Sequence, residues 1–197
     1  MMDGSQKVAT AALDSLEKVR PDLYKPLSTL VLDATPAKQL AAIKEIGLMG
    51  EKAYPAMSLL LARLRGELAK PAYRRGLSEL ALAYFAAIRQ IKPDDAETIK
   101  LFKVMAGVSD RDSYARLESL IFLEDWAGED ESKRKEVLPL LNVGLDDGIC
   151  QLNCIQTAGG YGVLAKDFVP KLKKLKLSSL EQIRDAAGAA ADKIENP

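Results

Sequence analysis

A chain of 197 residues with 48% hydrophobic content holds enough apolar material for one compact domain or a short repeat array. Its 28 basic and 28 acidic side chains cancel, so no overall field draws it to nucleic acid or to an anionic membrane, and any electrostatic recognition is local. It contains no histidine, which removes the commonest general base and the commonest metal ligand together.

Helical periodicity runs through the sequence without a convincing alternating strand run. In chain order the pattern predicts helices over Gln6–Arg20 and Pro21–Leu32, Pro36–Ile46 and Lys52–Arg65, and Pro71–Ile91 and Asp94–Ala106. It continues over Asp110–Trp126 and Lys133–Leu145, then Gly148–Ala158 and Ala165–Leu175, and closes with Ser178–Ile194. These are five antiparallel pairs and a capping helix within one domain, 1–197. The longest apolar run, Ala56–Ala62, is bounded by Pro55 and Arg63, well short of the roughly 20 residues that span a bilayer. The start, Met1-Met2-Asp3-Gly4-Ser5, shows neither a charged n-region nor an apolar h-region. That favours a soluble, cytoplasmic chain, unless a leader was removed ahead of the doubled Met.

Two stripes are clearest. Tyr73, Leu77, Leu80, Ala81, Tyr84, Ile88 and Ile91 step by three and four along one helix face, and Leu180, Ile183, Ala187, Ala190 and Ile194 do so in the last helix, with Ser178 or Ser179 as its N-cap. Proline is tolerated in a helix's first turn, so Pro26, Pro55, Pro93, Pro139 and Pro170 are expected to open the second helix of each pair. Gly47, Gly128 and Gly159 or Gly160 are expected to end the preceding helices in the left-handed conformation.

The segments GLMGEKAYPAMSLLLARL and GVLAKDFVPKLKKL, and the closing LEQIRDAAGAAADKI with Ile183, Arg184, Ala186 and Ala187, resemble HEAT repeats. That resemblance implies an all-α, right-handed α-α superhelix whose second helices line a concave groove. It implies a non-catalytic scaffold that binds a protein partner through polar positions on those helices: Arg63, Lys100, Lys103, Asn142, Lys171 and Lys174. Where the fifth pair's first helix would carry the family's Arg, the sequence has Cys150 and Gln151.

Chemistry-bearing patterns are sparse. Carboxylates pair at Asp94-Asp95, Glu124-Asp125, Glu129-Asp130-Glu131 and Asp146-Asp147, at predicted helix starts and loops where a first-turn negative charge is stabilised by the helix dipole. The DWAGEDE segment lacks the alternating ligand spacing of a calcium loop. No phosphate-binding loop, nucleophile elbow or dinucleotide-binding turn occurs, and Ala158–Gly162 reads as an inter-helix turn. Cys150 and Cys154 lie four apart and read as small core residues. The expectation is therefore no catalytic residue, no cofactor and no metal. Two basic clusters, Arg63, Arg65, Lys70, Arg74 and Arg75, and Lys166, Lys171, Lys173, Lys174 and Lys176, stand against the acidic stretch 110–131. They keep open an alternative, a nucleic-acid-binding module like the HEAT-like DNA glycosylases, in which the single tryptophan, Trp126, beside Glu124 and Asp125, would serve the site. The neutral net charge makes nucleic acid the less favoured partner.

Overall fold

The computed structural model describes residues 16–33, 35–69, 77–107 and 113–196. Of the expected first helix only its end is described, with 16–19 helical; Tyr73 and the start of the third pair, residues 110–112, and Lys70, Arg74 and Arg75 lie outside the described residues. Every regular element among the described residues is helical: α1 (Pro21–Leu32), α2 (Pro36–Leu48), α3 (Met57–Leu68), α4 (Glu79–Ile91), α5 (Ala96–Gly107), α6 (Ser113–Ala127), α7 (Glu131–Gly144), α8 (Gln151–Tyr161), α9 (Val169–Leu175) and α10 (Glu181–Glu195). Short 3-10 segments, Gly50–Ala56 and Gly162–Phe168, lead into α3 and α9. The helices pack largely in sequence order as antiparallel pairs, and the chain divides into two compact units, Met1–Pro93 and Asp94–Pro197. No helix among the described residues is long and apolar enough to cross a membrane.

In the first unit, α2 lies against α1 and α4, and α4 also packs on α3. The reason is the apolar spacing: Leu23, Leu27 and Leu30 of α1, Ile43 and Ile46 of α2, Leu60 and Leu64 of α3, and Tyr84, Ile88 and Ile91 of α4 are all buried at intervals of three and four. Ser78 starts α4 by accepting a hydrogen bond from the Ala81 amide (3.1 Å). The α1/α2 turn is tied by Asp33, whose carboxylate accepts from the Lys38 ammonium and the Thr35 amide, each at 2.8 Å; these bonds hold it down to about 2.

In the second unit, α5 packs on α6 and α7, α7 on α6 and α8, and α10 closes against α8 and α9. Phe102 and Phe122 meet nearly edge-on, with centroids 4.3 Å apart, and Leu120, Val137, Leu141, Ile155, Leu172 and Ile183 are buried along the same unit. Asp95 caps α5 through the Thr98 amide (2.9 Å), and Asp130 caps α7 through the amides of Ser132 and Lys133. Those carboxylates are thus occupied by helix starts.

Pro26 and Pro139 lie inside α1 and α7 instead of opening them, each at the cost of one intrahelical hydrogen bond; among the described residues only Pro21, Pro36 and Pro170 stand at helix starts. Gly128 does adopt positive φ (47°), but the other positive-φ positions among the described residues are Gly50 and Gly162. Gly47 and Gly159 are instead close-approach residues within helices: a Cβ on Gly47 would lie 2.9 Å from Ala87 Cα, and one on Gly159 3.1 Å from Ala190 Cα. Their small size brings α2 against α4 and α8 against α10. The tract 158–161 belongs to α8, so the turn comes at Gly162. The last helix has Leu180, 64% exposed, at its N-cap position, while Ser178 accepts from the Leu180 amide. Leu180 therefore falls off the buried stripe that Ile183, Ala187, Ala190 and Ile194 form.

Candidate functional site

The turn between α7 and α8 borders two surface depressions of the second unit. Two adjoining depressions, of about 500 and 550 Å³, share Asp146 as a wall. The first is lined by Ser113, Arg116, Asn142, Val143 and Asp147; the second includes Gln151, Asp167, Pro170, Lys171 and Lys174. The first lies between α6 and the end of α7 and the second between the α7/α8 turn and α9; they adjoin at Asp146 as one shallow groove in which charged side chains alternate with apolar surface.

Its inner end is an ion pair between Arg116 of α6 and Asp147, with side chains only 4% and 9% exposed. Burial opposes the Asp147 charge, but hydrogen bonds from Ser113 and the Ile149 amide, the Arg116 charge and the Cys150 amide together hold its carboxyl below the ordinary value. The Cys150 thiol, buried beside it, points to the Ser113 carbonyl (3.3 Å) and is pushed up to about 12, first by burial and then by Asp147. Cys154 is raised further for the same first reason. Both thiols are fully buried and free, the opposite of the low-pKa exposed thiolate a nucleophile requires.

Three of the six residues expected to face a partner come together here. Lys171 donates to the Asn142 carbonyl (2.9 Å), Asn142 Oδ1 (3.2 Å) and Asp146 Oδ2 (2.8 Å), which uses all three ammonium hydrogens. Lys174, one turn on, is exposed and lines the second depression without an ion pair among the described residues. Lys103 stands apart on α5, bonded to Glu136 of α7, with its ammonium 4.8 Å above the Trp126 ring. Lys133 approaches the same ring at 5.1 Å, so Trp126 is framed by two cations outside the groove. Lys100 is exposed on α5, and Arg63 is half-buried on α3 of the first unit, near Tyr84. Of the basic clusters, Arg63 and Arg65 belong to the first unit; Lys171 and Lys173 of the second are paired with Asp146 and Glu195.

Sequence reasoning passed over Arg116, Ser113 and Asp167, and met Gln151 only as a departure from the repeat pattern. Arg116 carried a usable signal, a cation four and seven residues before the buried Leu120 and Leu123, on a stripe where a charge needs a buried counter-ion. The counter-ion, Asp147, was visible as half of a carboxylate pair. Among the described residues no three potential metal-ligating side chains converge. No protein-family model, curated protein sequence or solved structure matches this chain.

Proposed function

We propose that this chain is a non-catalytic interaction scaffold, a right-handed superhelix of HEAT-like helix pairs that holds a polypeptide partner on its second-helix face. The observation that carries this reading is the charge-lined groove at Asp146, where Asn142 on one side is bonded to Lys171, which lines the other side together with Lys174. Neighbouring second helices are joined by side chains across this face: Lys103 of α5 to Glu136 of α7, and Lys171 of α9 to Asn142 and Asp146 at the end of α7. The repeat itself is supported by the regular reach of such bonds. Lys103–Glu136, Arg116–Asp147 and Lys171–Asn142 span 33, 31 and 29 residues, about one helix pair each.

Charge favours a protein over a nucleic acid. The second unit has 14 basic against 19 acidic residues, and its groove sets Arg116, Lys171 and Lys174 against Asp146, Asp147 and Asp167. A phosphate backbone requires a net cationic surface. The test is a photo-crosslinking side chain at exposed Pro139 on α7, with the same group at exposed Gln182 on α10 as control, in lysate of the source organism. A protein adduct specific to position 139 and lost with Lys174→Glu supports the scaffold. A nuclease-sensitive adduct, or equal capture at position 182, overturns it.

A further inference from the structure

We infer that the groove selects an extended peptide of mixed charge, its acidic side chain on Lys174 and its basic side chain on Asp167; this rests on the scaffold reading above. Most charges on the groove are already satisfied within the fold. Arg116 and Asp147 neutralise each other at the inner end, and Lys171 and Asp146 do so on the shared wall. What remains on the groove is one cation and one anion, Lys174 and Asp167, both exposed and neither in an ion pair among the described residues. They lie seven residues apart along the 3-10 segment and α9, with Lys171 between them on the same lining, about 10 Å along the axis. An extended chain covers that distance in about three residues. Leu145, Pro170 and Leu175 supply the apolar part of the same lining.

Two amide side chains fit the same occupant. Asn142 Oδ1 is taken by Lys171, which leaves its NH2 as donor; Gln151 donates its NH2 to the Leu145 carbonyl (2.8 Å), which leaves its Oε1 as acceptor. One donor and one acceptor match the C=O and N–H of a peptide backbone. A purely anionic ligand would meet Asp167 and Asp146, and a purely cationic one would meet Lys174.

The experiment is amide NMR of the full, 15N-labelled chain titrated with capped alanine hexapeptides carrying Arg and Glu two, three or four residues apart. Peptides carrying Arg alone or Glu alone, and a single-stranded oligodeoxythymidine, serve as comparisons. The expected result is saturable movement of the Asn142 and Gln151 side-chain signals with a mixed-charge peptide. Lys174→Glu and Asp167→Lys each weaken that binding about fivefold, and the first variant gains affinity for a peptide carrying Arg at both positions. Both residues are exposed, and unchanged Trp126 fluorescence will verify that the variants fold. No saturable movement with any mixed-charge peptide, or equal binding of the single-charge peptides or the oligonucleotide, overturns the inference. If the crosslink at position 139 forms while no mixed-charge peptide binds, the scaffold stands and the peptide chemistry falls.

Discussion

Gly159 and Gly160 are neighbours in one helix, and substituting each by alanine separates packing from helix propensity. A Cβ on Gly159 would lie 3.0 Å from Ala190 Cβ and 3.1 Å from Ala190 Cα, whereas a Cβ on Gly160 meets nothing within 4 Å. Both changes gain about 0.5–1 kcal/mol, because glycine gives up the most backbone freedom in a helix. Only Gly159→Ala adds an overpacking cost of about 1–3 kcal/mol, since α10 must move by a few tenths of an ångström. Gly160→Ala should therefore stabilise by about 0.5–1 kcal/mol and Gly159→Ala destabilise by about 1 kcal/mol, a gap of roughly 2 kcal/mol. Urea unfolding followed by Trp126 fluorescence reads this directly, because the only tryptophan lies in the same unit as both glycines. Adding Ala190→Gly should recover stability in the Gly159→Ala background beyond its effect alone, with a coupling of about 0.5–3 kcal/mol. Equal stabilisation by both alanines would refute the close approach of α8 and α10. Equal destabilisation would mean that the Gly-Gly pair is left-handed, as its sequence suggests.

Asp147→Asn should cost several kcal/mol at neutral pH, up to about 3–5 kcal/mol, since it breaks an ion pair whose two side chains are nearly buried. The folded Asp147 carboxyl sits below its unfolded value of about 4, so this stabilisation is complete above that pH and lost as pH falls through the folded value. The wild-type advantage over Asp147→Asn should shrink below pH ~4, and an advantage of equal size in acid and at neutrality would contradict the assignment. Asp130→Ala removes the α7 cap and should lower stability by about 1 kcal/mol in the same urea assay; no change would mean that the two amide bonds are not formed in solution. Cys150 and Cys154 should resist a thiol reagent at pH 8 in the native state and react only on unfolding in denaturant; rapid native labelling would show that the α7/α8 turn opens.

The helices were legible because burial follows periodicity. The stripe of α4 and the alanine-rich stripe of α10 are buried as their spacing requires, from Ala81 to Ile91 and from Ile183 to Ile194. Punctuation was misread where one residue type serves two purposes. A glycine permits a left-handed turn, as at Gly128, or a close helix approach, as at Gly159, and the local sequence does not separate the two. Proline is similarly ambiguous, since Pro139 is exposed inside α7, where losing one hydrogen bond is tolerated.

The site was legible in position and illegible in pairing. Periodicity places Lys103, Asn142 and Lys171 on second helices, and the structure has them there. What it cannot supply is the identity of a neighbour about thirty residues away, and that neighbour decides whether a lysine is a contact for a partner or a brace within the fold. Lys171 spends its ammonium on Asn142 and Asp146, and Lys103 spends its own on Glu136 and the Trp126 ring. Lys174, on the same short helix and of the same residue type, finds no counter-ion among the described residues. Recognition on this surface therefore falls to the charges left over after the helices have been braced, which makes Lys174 and Asp167, and not the lysine-rich appearance of the segment, the residues on which partner selection should turn.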